Sequence, residues 1–409
     1  MKKEVKLPEI KLAEYTYELN DERIAKYPLA ERDASKLLYY QQGKIENLQF
    51  PDIEQVIPAD SVLFFNNTKV IPARIFFRKD TGAKIEVFLL NPITPSPVIS
   101  QAMDAKGETV WAAMVGNAKK LKDGQVLNRE MTVEGQEVHL KAEIISRSPF
   151  QVKFEWTPSD IPFVAIVEEA GTVPLPPYMN REAEDEDKPR YQTVFSKNEG
   201  AVAAPTSGLH FTDKILERLD AKNIDRQELT LHVSAGTFQP VKEENAVNHP
   251  MHEEQIIIHR HNVEAIIERQ GNIYCVGTTS MRTLESLYWF GVKLIEDPQA
   301  DFFVEKLRPY QYSVEELPSV KAAMTAVLQR MDADKTDHLQ GSTEIFIFPS
   351  YPFQIIDGII TNFHQPGSTL IMLVAAFIGE DWKKVYQNAL DKDYRFLSYG
   401  DASFLLRKK

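Results

Sequence analysis

A change of rhythm near residue 160 limits what this chain can fold into. From Ser61 onward, short runs rich in β-branched and aromatic residues (SVLFF, VIPARIFF, AKIEVFLL, TVWAAMV, VHLKAEIIS, FQVKFEW) are separated by Gly, Asn, Asp and Pro turns. Runs of that kind read as strands of a compact antiparallel barrel or sandwich. After Ile161, helix-like stretches at 161–170, 212–222, 260–270, 280–291 and 381–391 alternate with strand-like ones at 229–233, 272–277, 343–348 and 355–361. That alternation predicts an α/β unit. The expected architecture is therefore an α/β main domain formed by residues 1–60 and 151–409, interrupted by a small antiparallel β-barrel domain at 61–150. Residues 293–340 fit the alternation poorly and read as a helical excursion, and the acidic run REAEDEDKPR at 181–190 reads as a mobile loop.

At 409 residues the chain exceeds a single small module, and 43% hydrophobic with 26% charged residues is the balance of a globular protein with a real core. The longest apolar run, Thr369 to Gly379, is about half of what a bilayer span needs. The mixed-charge start lacks the apolar core of a secretory signal, so no membrane association and a cytoplasmic location are expected. One cysteine, Cys275, excludes an internal disulfide and a cysteine-built zinc site, and its neighbours suggest an inert buried strand residue. The histidine pairs 249/252 and 259/261 lack a carboxylate constellation of recognisable spacing, so no metal is expected. A net charge of −12 argues against broad adhesion to nucleic acid. Residues 66–150 nevertheless hold 12 basic against 9 acidic side chains, a modest pointer to polyanion contact.

Polar residues that interrupt a well-patterned core are informative, because an unpaired buried polar group is costly. Five places stand out. Asn66-Asn67-Thr68-Lys69 with Arg74 ends a strand in amides and bases, which suit either a capped turn or a phosphate. Gly200 to Phe211 supplies small residues, the hydroxyls of Thr206 and Ser207, and His210 just before a helix start. Leu231 to Phe238 places His232, Gly236 and Thr237 at the carboxyl end of a strand, where α/β folds collect ligands. Gly277-Thr278-Thr279-Ser280 with Arg282 opens an amphipathic helix and suits an anion. Thr361 to Thr369, with Asn362 and His364, is again a strand passing through a polar turn into a helix. Each has a plainer reading as a turn, a cap or a core histidine. No dinucleotide-binding glycine loop, Walker phosphate loop or H-E-x-x-H motif is present.

The stretches FNNTKVIPAR, VPLPPY, YQTVFSKNEGAVAAPTSGLHF, LHVSAGTFQPV, HPMHEE, VGTTSMRTLES, TNFHQPGSTLIMLVAAF and YRFLSYGDASF occur in this order. Together they resemble the signature blocks of the S-adenosylmethionine:tRNA ribosyltransferase-isomerase family of queuosine biosynthesis, over nearly the whole chain. Two departures stand out: the segment between Arg282 and Glu344 is long for the family, and Lys36 stands where arginine is expected.

The resemblance implies a barrel-like α/β main domain carrying an inserted small β-barrel. It implies a tRNA substrate with a GUN anticodon whose wobble base is 7-aminomethyl-7-deazaguanine. The ribosyl part of S-adenosylmethionine moves to the aminomethyl nitrogen and rearranges to an epoxycyclopentanediol, giving epoxyqueuosine with release of adenine and methionine. S-adenosylmethionine is thus a consumed co-substrate, with no cofactor implied, and a monomer is expected. Removing a proton from the carbon beside the sulfonium needs a base, for which His210 and His232 are both available. Asn362 and His364 fall to the departing adenine, Thr278, Thr279 and Arg282 to the methionine carboxylate, and Thr206, Ser207, Gly236 and Thr237 to further substrate contacts. Asn66, Asn67, Lys69, Arg74, Lys84, Tyr178 and Tyr191 are the expected tRNA contacts, through phosphates and stacked bases. Two alternatives stay open: a methyltransferase using the same sulfonium compound, which leaves adenosylhomocysteine, and a tRNA-binding protein without catalysis.

Overall fold

The computed structural model describes residues 7–79, 81–122, 124–233, 241, 243–269 and 271–408. Its larger sheet has ten strands, in the order Phe303–Val304, His338–Thr343, Glu254–His259, Asp225–His232, Val62–Asn66, Ile273–Val276, Gly358–Asn362, Ala402–Leu406, Lys36–Gln41 and Lys44–Gln49. The four strands from Asp225–His232 to Gly358–Asn362 are mutually parallel. Strands covered on both faces read as unbroken apolar runs, and Val62-Leu63-Phe64-Phe65 is one, entirely buried. Alternation sends Val62 and Phe64 to a core with the helix Gly277–Glu296 and the helices Thr369–Ile378 and Asp381–Asp391. Leu63 and Phe65 face a second core with Phe50, Ile53 and the helix Asp213–Ala221. Cys275 is buried in the same way within its strand, where desolvation pushes its thiol pKa well up.

The helix Gly277–Glu296 runs through the first core and is buried along most of its length. Its Glu285 carboxylate accepts hydrogen bonds from the backbone N–H groups of Gln354, Ile355 and Ile356 and from the Tyr351 hydroxyl. That buried carboxyl group ties the approach to the Gly358–Asn362 strand onto the helix. Gly291 lets the helix Val320–Asp334 come close, since a side chain there would strike the Ala323 carbonyl. The expected excursion therefore starts later than residue 293, where the long helix is still running, and its far end, His338–Thr343, is a strand of the large sheet. The predicted strand at 343–348 falls mostly after that strand.

The smaller sheet is antiparallel, in the order Gly171–Thr172, Arg74–Arg78, Lys84–Thr94, Glu108–Gly116, Phe150–Thr157, Gln136–Arg147 and Val126–Val133. It curls until its two ends meet: Arg129, on the last strand, donates to the carbonyls of Phe76 and Ala170 at 3.0 and 2.6 Å. Phe163, from the helix Phe163–Ala170, fills the curl against Trp111, Phe154 and Trp156. SVLFF, expected as the barrel's first strand, is instead a central strand of the large sheet. The curled sheet extends past residue 150 to Thr157 and takes in Gly171–Thr172. A pattern of apolar runs is common to buried parallel strands and to barrel strands, which is why the two were not told apart.

The acidic run is also not the free loop its composition suggests. Asp187 is buried, receives two hydrogen bonds from Arg181 and one from the Tyr399 hydroxyl, and its carboxyl is held below its usual pKa by those partners despite desolvation. Arg181 also reaches the Lys26 carbonyl. Among the described residues no helix is long and apolar enough to cross a membrane.

Candidate functional site

In an open α/β sheet, ligands gather beyond the carboxyl ends of the parallel strands. Here those ends are His232, Asn66, Val276 and Asn362, on four adjacent strands. Gly277, at φ +88°, turns the third strand directly into its helix, so that the backbone N–H groups and the hydroxyls of Thr278 and Thr279 stand at the sheet edge. The 3₁₀ turn Thr206–His210 packs alongside: a Cβ on Gly277 would lie 3.8 Å from the Ser207 hydroxyl. The turn Asn362–Ser368 closes the far side.

The result is a cleft of about 980 Å³, counted out to its open mouth. Thr206, Ser207, Thr278, Thr279, Asn362, His364, Tyr178 and Tyr191 all line it, bringing together expected residues that lie up to 186 positions apart. Val233 reaches it from the strand that carries His232. Gly236 and Thr237 lie outside the described residues. Tyr178 and Tyr191, expected at an RNA surface, are wall residues instead: Tyr178 shares a hydrogen bond with Ser398, and Tyr191 packs edge-on to Tyr399.

Three buried histidines surround this cleft. Asn362 donates its amide N–H groups to the carbonyls of Leu397 and Ser398, at 2.8 and 3.1 Å, which leaves its Oδ1 to accept. His210 Nε2, 3.0 Å away, must therefore carry the proton, and His210 Nδ1 accepts from the Ser35 hydroxyl at 2.8 Å. Both nitrogens are engaged, and His210 stands behind the cleft wall. His232 Nδ1 is 3.1 Å from the Thr68 hydroxyl, and its ring also lies behind the lining. His364 does line the cleft, with Nε2 3.0 Å from the Thr361 hydroxyl. Desolvation lowers the pKa of His210 and His232 to about 4 and that of His364 to about 3. All three rings are neutral at neutral pH.

Other expected contacts are placed elsewhere. Arg282 is paired with Glu254 and donates to the Ile345 carbonyl, so of the expected helix-start residues Thr278 and Thr279 line the cleft and Arg282 does not. Asn66 is 1% exposed and bridges two strands, donating to Leu231 O and accepting from Leu231 N, each at 3.0 Å. Asn67 is likewise buried, against Thr230 and Glu228. Neither amide is open to RNA. Lys69 pairs with Glu199 at 2.7 Å and Arg74 with Glu86 at 3.4 Å, while Lys84 lies over the Phe76 ring. Lys36 donates to the carbonyls of Lys392 and Asp393.

Sequence reading missed Ser398, which meets Tyr178 beside the cleft, and missed Ser35 and Arg32 on the His210 side. A Ser-Tyr-Gly turn before a terminal strand was the only local signal for the first. Among the described residues, no group of three or more His, Cys, Asp or Glu side chains is arranged to hold a metal ion.

A family model described as queuosine biosynthesis protein matches residues 12–405. Among solved structures, the S-adenosylmethionine tRNA ribosyltransferase of Thermotoga maritima shares 27% sequence identity, over 96% of this chain and 100% of that one, with a TM-score of 0.45.

Proposed function

We propose, from the premise that this chain belongs to the queuosine biosynthesis protein family, that it is an S-adenosylmethionine:tRNA ribosyltransferase-isomerase. Its tRNA substrate has a GUN anticodon and 7-aminomethyl-7-deazaguanine at the wobble position. The products are epoxyqueuosine-tRNA, adenine and methionine, and S-adenosylmethionine is consumed without a resident cofactor. The observation that carries this reading is the convergence of Thr206-Ser207, Thr278-Thr279 and Asn362–His364 on one cleft at the parallel strand ends.

The chemistry of the cleft suits a sulfonium nucleoside. Hydroxyls and backbone N–H groups at the start of a twenty-residue helix favour a carboxylate, here the methionine end. Neutral imidazoles nearby do not repel the sulfonium charge, and protonated ones would. His364 is the histidine in the lining, so it is the group assigned to proton exchange with bound substrate: uptake from the acidified carbon beside the sulfonium, and delivery to the departing adenine. In this reading His210 is a positioning residue acting through Asn362, and His232 a second one held by Thr68.

The test is incubation of the protein with S-adenosylmethionine and tRNA bearing the aminomethyl base, followed by mass spectrometry of the nucleoside and of the small products. Free adenine and an epoxycyclopentanediol adduct are expected; adenosylhomocysteine would identify a methyltransferase instead, and unchanged S-adenosylmethionine a passive binder. Substituting His364→Ala should lower turnover by roughly 10²- to 10⁴-fold with S-adenosylmethionine binding retained. Near-normal turnover of that variant, with loss in His232→Ala or His210→Ala, moves the proton chemistry to the other ring.

A further inference from the structure

Behind the wall that carries His210 lies a second, smaller recess of about 310 Å³, again counted to its mouth. Arg32, Arg190, Ser35, His210, Ser398 and Tyr399 line it, and among the described residues no acidic side chain does. Ser398 also lines the main cleft, and His210 reaches the cleft residue Asn362 at 3.0 Å, so the two cavities share a wall one side chain thick.

The two arginines are held without being neutralised. Arg32 donates to the carbonyls of Pro189 and Leu209, at 2.8 and 3.5 Å, and Arg190 to those of Ala30 and Leu29, at 2.9 and 2.5 Å. Carbonyls orient a guanidinium and leave its charge in place. Neither arginine forms an ion pair among the described residues, and the buried Arg190 Nε has no hydrogen-bond partner. The buried carboxylates connected to the lining are engaged elsewhere: Asp187 by Arg181 and the Tyr399 hydroxyl, and Asp401, next to Gly400, by the backbone N–H groups of Lys36 and Arg395. Burial first, and then the Arg190 charge, draw Arg32 below the usual guanidinium pKa. The contrast with the small sheet is direct, since Arg74 there has Glu86 and Lys69 nearby has Glu199.

We infer that this recess receives a phosphodiester group of the RNA strand whose modified base enters the neighbouring cleft. The inference rests on the functional reading above and adds to it the place where the strand is gripped. Two guanidinium groups lining a recess with no carboxylate in its lining match the charge of a phosphate. The shared wall sets that phosphate beside the base that reacts.

The test titrates an anticodon stem-loop RNA onto the full-length protein at several KCl concentrations, using the wild type, R32Q, R190Q and the charge-keeping R32K and R190K. Each glutamine variant should bind at least about tenfold more weakly, and the slope of log affinity against log salt should fall by about 0.7. The lysine variants should recover the slope and part of the affinity, and the affinity for S-adenosylmethionine should change less than about twofold. An unchanged slope in folded glutamine variants overturns the inference, and a selective loss of S-adenosylmethionine affinity reassigns the recess to a carboxylate. RNA that fails to bind the wild type defeats the functional reading itself. Should the glutamine variants not fold, phenylglyoxal labelling of the wild type gives the same decision. RNA, and not S-adenosylmethionine alone, should protect Arg32 and Arg190, and equal labelling with and without RNA overturns the assignment.

Discussion

Around the cleft, Asn66, His210, His232, Asn362 and His364 are buried and uncharged, tied to backbone groups, to hydroxyls or to one another. On the curled sheet, Arg74 and Lys153 are about two-thirds covered; they meet Glu86 and Glu108 across adjacent strands, and Lys153 also meets Glu155 along its own strand. In the first region these side chains hold fixed partners, and the loss of one leaves another atom orphaned in low dielectric. In the second, solvent screens every pair, and one partner can replace another at little cost. The parallel-strand region should therefore be intolerant of change and sensitive to pH, and the curled sheet should be forgiving.

Acid gives the largest expected effect. The three cleft histidines have folded pKa values of about 4, 4 and 3 against 6.5 in an unfolded chain. Below pH 6.5 the unfolded state binds more protons, so stability is full above that pH and is lost as pH falls toward 4. Each histidine should contribute a loss on the order of 3 kcal/mol, read as a falling urea midpoint between pH 7 and pH 4. A flat profile would break the contrast. Next comes Asn362→Leu, which orphans His210 Nε2, takes the amide donor from the Ser398 carbonyl and leaves the Leu397 carbonyl with the Gly400 N–H alone. It should cost about 3 kcal/mol in chemical denaturation, and a loss below about 1 kcal/mol would place Asn362 among the replaceable residues.

Smaller effects sharpen the comparison. Thr278→Val removes one hydroxyl from the helix start and should weaken S-adenosylmethionine binding by about 1 kcal/mol, measured by calorimetry, with the melting temperature nearly unchanged. Glu86→Gln on the curled sheet should alter stability by less than about 0.5 kcal/mol. It frees Arg74, so RNA affinity should rise slightly and its salt dependence steepen. A large stability loss there would show that the curled sheet is as exacting as the cleft.

Much of the site was legible because its chemistry sits where strands end in polar turns. Thr206, Ser207, Thr278, Thr279, Asn362 and His364 were all singled out that way, and all line the cleft. Orientation was not legible. Arg282 lies four residues beyond Thr278, one helical turn away, yet it is paired with Glu254 and does not line the cleft, and Glu254 comes from a strand that no local pattern connects with it. Asn66 and Asn67 looked like surface amides because strand pairing, which buries them, is a long-range event. The helices at 213–221, 260–268 and 381–391 were visible within two residues by their period. The Val62–Asn66 strand was visible too, but its sheet was not, because an apolar run carries no record of its partners. Arg32 and Arg190 drew no attention, since an arginine without an acid nearby is a property of three dimensions.

The buried Asp187 has a mechanical consequence. Through Arg181 it reaches the carbonyl of Lys26, and through Tyr399 it reaches the turn ahead of the terminal strand. A stretch that composition would cast as a tether instead works as a clasp. The early arm around Lys26 thereby inherits the stiffness of a strand nearly four hundred positions downstream, with no covalent link between them.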